Sequence, residues 1–142
     1  MKITAILAWA LPAIIAATGI ACDCNAKPPP RKALEKAATV FMGRVVMGRV
    51  VKRRLDKEAE MREMREFLFE VSGVWKGPAS KRIFVLTRMD SAACGFDFEL
   101  GESYLVYAYG DATQFVTNIC TRTCHQGMAS DDLSQLGAST KP

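Results

Sequence analysis

All five cysteines of this 142-residue chain lie beyond residue 21, and everything before them reads as an export leader. Lys2 supplies a short positive start, and Ile3 to Ala17 form an apolar run that includes Trp9 and Pro12. Gly19-Ile20-Ala21 then places small residues at the positions a signal peptidase reads. The pattern predicts a signal peptide over 1–21, cleavage after Ala21, and a mature domain over 22–142 that begins at Cys22. Residues 3–21 are just long enough to span a bilayer about 30 Å thick, but Pro12 and the flanking residues favour a cleaved leader over an anchor.

Export favours oxidation of the cysteines, so the expected product is a disulfide-stapled domain that is secreted, periplasmic or held at the cell surface. Gly19-Ile20-Ala21-Cys22 also resembles a lipobox, with Gly19 where leucine is usual. Cys22 is therefore either a free N-terminal residue or a lipid attachment point, and membrane association is expected only in the second case. The mature length suits one compact domain. Only Lys2 of the 19 basic residues lies in the leader, so 22–142 carries 18 Lys and Arg against 15 Asp and Glu, a net +3. That mild charge and the export signal argue against nucleic acid as a partner.

Lys27-Pro28-Pro29-Pro30 is expected to be extended, and Arg31 to Thr39, with Leu34, Ala37 and Ala38 at helical spacing, to form a short helix. A β-prone run from Val40 to Val51 contains a direct repeat: Met42-Gly43-Arg44-Val45-Val46, then Met47-Gly48-Arg49-Val50-Val51. An offset of five is odd, so in an unbroken strand the two copies face opposite sides, and Gly48 is the expected site of a relieving bulge or bend. The Gly-x-x-x-x-Gly that the repeat creates lacks the Lys and Ser/Thr of a phosphate loop. Lys52 to Glu66 mixes both charge signs and reads as a solvated hairpin extension or exposed helix. Met42, Met47, Met61 and Met64 read as core or hairpin packing.

Further strands are expected at Phe67 to Val71, ending at Trp75-Lys76-Gly77-Pro78, and at Ile83 to Thr87, Tyr104 to Tyr109 and Gln114 to Ile119. Tyr104 to Tyr109 is apolar on both faces. Ser130 is read as the cap of a last helix that ends at Gly137, followed by a loose tail. Five strands flanked by small helices predict a closed, strongly bent antiparallel barrel.

An enzyme is not expected. His125 is the only histidine, and no Ser/His/Asp set can be assembled. Cys120-x-x-x-Cys124-His125 is one residue too long for haem attachment, and a structural zinc site lacks a second ligand pair. No cofactor and no intrinsic metal are expected. Basic residues at Arg44, Arg49, Lys52, Arg53 and Arg54 are read as solvated charges, with an anionic glycan or envelope partner as the alternative.

Six motifs occur in order: Cys22-x-Cys24, Val40-Phe41-x-Gly43-x-Val45, Val71 with Trp75-Lys76-Gly77, Cys94-Gly95-x-x-Phe98, Gly101-x-x-Tyr104-Leu105-Val106-Tyr107 and Cys120-Thr121-Arg122-Thr123. In this the chain resembles the netrin-like domain shared with the tissue inhibitors of metalloproteinases. It is more closely similar to small exported bacterial members, which also end in an Asp-Leu-x-x-Leu-Gly helix like Asp132 to Gly137. The resemblance spans the mature chain and implies a five-stranded OB-type Greek-key barrel; a monomer is expected. It implies disulfides Cys22–Cys94 and Cys24–Cys120, leaving Cys124 over as a free thiol, an intermolecular bridge or a partner in a rearranged set.

In that family the N-terminal cysteine's amine and carbonyl chelate the catalytic zinc of a metalloprotease. The resemblance thus assigns Cys22 as chelator, Asp23 to the protease's specificity pocket, and Ser91-Ala92-Ala93 to a neighbouring contact strip. Asp23 stands where the inhibitors carry a small Thr or Ser, and its carboxylate meets desolvation and like-charge repulsion there. The competing expectation is a secreted or lipid-anchored binding module for an envelope or extracellular partner.

Overall fold

The structure is a computed structural model that describes residues 22–142, so the leader expected over 1–21 lies outside the described residues. Helix α1 spans Pro30–Lys36, with proline in its first turn, where a missing N–H costs nothing. Strands β1 (Thr39–Arg53) and β2 (Arg62–Lys76) form a long hairpin, followed by β3 (Arg82–Thr87), β4 (Ser103–Asp111), β5 (Gln114–Val116) and β6 (Cys124–His125). Helix α2, Ser130–Leu136, ends at Gly137, whose φ of 75° a side chain would resist.

The strands form one six-stranded sheet in the order β1-β2-β3-β5-β4-β6, and β1 also pairs with β4. The sheet therefore rolls into a barrel-like ring. Two features differ from the expected five-stranded antiparallel arrangement. Val85 and Leu86 of β3 pair in parallel with Phe115 and Val116 of β5. A short sixth strand arises where Cys124 and His125 add to Leu105 and Tyr104 on the free edge of β4. Strand β5 is also shorter than expected, ending at Val116, although the Thr117 N–H still donates to the Leu86 carbonyl of β3 at 2.9 Å.

Two apolar clusters explain why the first residues of β1, Thr39 to Gly43, and Tyr104 to Ala108 of β4 are buried on both faces. Inside the ring, Phe41 meets Phe69 edge-on at 5.4 Å, Phe69 meets Phe98 at 5.1 Å, and Phe98 meets Tyr104 at 4.9 Å between ring centroids. Such edge-to-face pairs add about 0.5–1.5 kcal/mol beyond their buried area. Outside it, Val40, Met42, Leu105 and Tyr107 lie beneath Ala33 of α1, Ala37 just past its end and Leu133 of α2.

The repeat is accommodated by a bulge, at Val46 rather than at the expected Gly48. Val45 pairs with Phe69 and Met47 with Leu68, which leaves Val46 without a partner. With one residue removed from the ladder, an offset of five becomes an offset of four. Arg44 then pairs with Glu70 and Arg49 with Glu66, on one face. Both pairs are also ionic: Arg44 reaches Glu70 at 3.0 Å and Arg49 reaches Glu66 at 2.5 Å. Gly48 instead faces Phe67, and a Cβ there would sit 2.9 Å from the ring.

Other expectations need correction. Glu66 is buried, not a solvated member of the charged run, because two arginines cover it. Met42 and Met64 are core residues, whereas Met61 is exposed. Ser130 does not cap α2; Ala129 precedes the helix and no side chain caps it. The tail is pinned rather than loose, since Thr140 exchanges two backbone hydrogen bonds with Val74 at 2.9 and 2.8 Å.

Candidate functional site

The arm over residues 22–29 has no regular structure, and two disulfides tie it to the body. Cys22 is bonded to Cys94 and Cys24 to Cys120, with Cα atoms 5.1 and 5.2 Å apart. These are the pairs that the resemblance implies. Such bonds fit an oxidising, extracellular environment. Among the described residues no helix is long and apolar enough to cross a membrane.

The turn before Cys94 is built by local hydrogen bonding. Ser91–Ala93 form one 3-10 turn, started by Asp90, whose carboxylate accepts from the Ala93 N–H at 2.8 Å. Cys94 follows with φ of 67°, a left-handed conformation rare for a side-chain-bearing residue. A Cβ on the next residue, Gly95, would collide with the Arg88 carbonyl and lie 2.7 Å from that of Asp90. Arg65 then pins both ends of the loop. Its guanidinium donates to the Arg88 carbonyl at 3.3 Å, to the Phe96 carbonyl at 3.0 Å and to Asp97 at 2.8 Å.

The second anchor is an Asx turn. The Asn118 side-chain oxygen accepts from the N–H groups of Cys120 and Thr121 at 2.9 and 3.2 Å. Ile119 donates to the Cys94 carbonyl at 3.1 Å, so the loops that carry the two anchoring cysteines are themselves joined. Asp23 and Ser91, Ala92 and Ala93 are all exposed, while Cys22, Cys24, Cys94 and Cys120 are half-buried.

A buried polar network holds the other end of the arm. Arg122 donates to both oxygens of Asp132 at 2.7 and 2.6 Å and to the Pro28 carbonyl at 3.2 Å. The Tyr107 hydroxyl donates to Asp132 at 2.8 Å. Burial opposes the charge on Asp132, but the Arg122 fork and the Tyr107 hydroxyl outweigh it and hold the carboxyl below its ordinary range. Burial and the hydrogen bond to Asp132 push the Tyr107 phenol far upward. Beside this network the hydroxyls of Thr117, Thr121 and Thr123 contact one another, and Thr123 accepts from the Tyr107 N–H at 3.0 Å. Among the described residues no buried side-chain nitrogen or oxygen lacks a partner.

Cys124 is the free thiol among the described residues, half-buried against the α1–α2 cluster. Burial, then the charge of Asp132, raises its pKa. His125 is part of β6 rather than a loop; its ring is hydrogen-bonded to Glu102 at 2.8 Å and packs edge-on to Tyr104.

On the outer face of the sheet lies a groove of about 390 Å³ bordered by Arg53, Arg82, Thr113 and Gln114, with Phe84 in its wall. Arg53 and Arg82 reach the Oε1 atoms of Glu66 and Glu70 only at 3.4 and 3.6 Å, whereas Arg49 and Arg44 hold the Oε2 atoms more closely.

Sequence reading missed Arg65, Arg122 and Asp132 as site-building residues. Each is a charged residue among others, and its burial depends on partners 10 or more positions away.

No protein-family model matches the chain, and no curated protein matches it significantly.

Proposed function

We propose that the chain is an exported netrin-like module with an OB-type barrel, and that its N-terminal arm is a zinc-directed wedge against a metalloprotease. The observation that carries this reading is the bond from Cys22 to Cys94, immediately after the exposed Ser91–Ala93 turn. The ring order and the parallel β3–β5 pair support the OB-type assignment. Cleavage after Ala21 leaves the Cys22 amine and carbonyl at the tip of a doubly tethered arm. Catalytic zinc keeps an open coordination position, and a deprotonated amine is a good ligand for it. Tethering removes conformational freedom before binding, which lowers the entropic cost of association. Asp23, exposed beside Cys22, enters the pocket next to the zinc and restricts the targets to enzymes whose pocket offers a cation or a hydrogen-bond donor.

The test is inhibition of a panel of zinc metalloproteases by the purified exported protein, with its intact mass measured first. Inhibition that disappears when one alanine is added before Cys22 supports the wedge. Equal inhibition by both forms, inhibition by neither, or a diacylglyceryl adduct on Cys22 overturns it.

The second reading is a binding module without inhibitory activity. The observation that favours it is the groove between Arg53 and Arg82, whose guanidiniums are only loosely engaged by carboxylates and flank an exposed aromatic ring. An anionic ligand would complete their pairing.

A further inference from the structure

The two disulfides are in contact with each other. The Cys22 sulfur lies 3.8 Å from the Cys120 sulfur, although each is bonded to a different partner. The sulfurs of Cys22, Cys94 and Cys120 all lie within 4.8 Å of one another. Two features enforce this crowding: Cys22 and Cys24 are separated by a single residue, and the Cys94 and Cys120 loops are joined through Ile119. All three residues are half-buried rather than sealed in the core, and the Ser91–Ala93 turn that precedes Cys94 is exposed.

We propose that these two bonds form one thiol–disulfide exchange site, whose co-reactant is a small or protein dithiol. A thiolate of the dithiol attacks the Cys94 sulfur, forming a mixed disulfide and expelling Cys22 as a thiolate. The Cys22 thiolate, already against Cys120, attacks that sulfur, forms Cys22–Cys120 and expels the Cys24 thiolate. The second thiol of the dithiol then closes on the first, releases Cys94 as a thiolate and leaves as a cyclic or protein disulfide. Two electrons pass from the dithiol to the chain. Two protein disulfides become one, and Cys24 and Cys94 end as thiols. The attack by Cys22 is intramolecular, so it competes well with the outside reagent.

The rearrangement has a directional consequence. Residue 22 stays covalently attached, but its tether moves from the Ser91–Ala93 side to the Cys120 side. Cys124 takes no part: it packs in the separate α1–α2 cluster.

The experiment uses the exported chain with an unmodified Cys22, in a Cys124→Ser background so that the thiol count is simple. It is treated with one equivalent of dithiothreitol, trapped with N-ethylmaleimide and mapped by fragmentation mass spectrometry. The expected one-disulfide species carries Cys22–Cys120, with label on Cys24 and Cys94. If the one-disulfide species retain only Cys24–Cys120, with Cys22 and Cys94 labelled, or only Cys22–Cys94, with Cys24 and Cys120 labelled, the proposal fails. A Cys94→Ser variant presents the Cys22 thiol without reductant. It is expected to hold Cys22–Cys120 and Cys24–Cys120 isomers within roughly tenfold of each other, and Cys24–Cys120 alone overturns the relay. Both this inference and the inhibitory wedge rest on an unmodified Cys22 thiol, but neither measurement involves a protease, so a failure of the exchange is distinguishable from a failure of inhibition.

Discussion

Arg122 grips both carboxylate oxygens of Asp132 and, with its remaining nitrogen, the backbone carbonyl of Pro28. One guanidinium thus joins the final helix to the N-terminal arm two residues after the Cys120 anchor. Arg122→Met retains the apolar stem but leaves the buried Asp132 without its ionic partner, with only the Tyr107 hydroxyl still donating to it. The expected loss is about 3 kcal/mol, the lower end for breaking a buried pair, measured by urea unfolding with both disulfides intact.

The same network sets the acid response. The folded-state pKa of Asp132 lies below its unfolded value, so its contribution is present above an ordinary carboxylate pKa of about 3.9 and is lost as pH falls through the folded value. Wild-type thermal stability should fall below about pH 4 more steeply than that of Asp132→Asn, followed by circular dichroism. Tyr107 acts in the opposite direction. Its raised pKa contributes stability that is complete below about pH 10 and drains away at higher pH, and Tyr107→Phe should remove that alkaline slope.

Adding a residue to β1 beyond its bulge should be far worse than truncating Val46. Val46→Ala trims a half-buried side chain outside the ladder and should cost under about 1 kcal/mol. Inserting one alanine between Gly48 and Arg49 turns the strand beyond it over, moves Arg49 off Glu66 and leaves that buried carboxylate without its closest partner. A loss of about 3 kcal/mol or more is expected in the same denaturation assay.

Arg65→Lys keeps the charge but cannot span three acceptors with one ammonium. Global stability should drop by about 1–2 kcal/mol. Amide exchange should accelerate around residues 88–97 more than in the β1–β2 ladder.

Cys124 should resist alkylation in the folded protein. Burial and the Asp132 charge both disfavour its thiolate, which is the reactive form. Iodoacetamide labelling at neutral pH should be at least about tenfold slower than in urea. Comparable rates would mean that the thiol is not held against the α1–α2 cluster.

Strand positions were legible because runs such as Phe67 to Val71 and Tyr104 to Tyr109 carry the alternation or the two-sided apolarity that a sheet requires. The repeat was legible as a register problem, but its solution at Val46 was not: glycine is the usual bulge signal, whereas here Gly48 is needed beneath Phe67. The cysteine pairing came through resemblance, since spacing alone leaves many connectivities open. Arg65, Glu66, Arg122 and Asp132 were hidden for one reason. A charged residue reads as solvated, whether it sits beside other charges as Arg65, Glu66 and Asp132 do or between threonines as Arg122 does, and only the folded chain brings the partner that allows its burial.

The tethering of residues 22–24 also determines how the molecule bears mechanical load. Tension applied at the N-terminus enters through Cys22 and Cys24 and passes across sulfur to Cys94 and Cys120, bypassing the backbone of β1, β2 and β3. Pulled from its two ends, the chain can lengthen only by the segment after Cys120 while its bonds remain oxidised. A domain wired in this way can be held at its N-terminus, by an anchor or by a bound partner, without its barrel being peeled open.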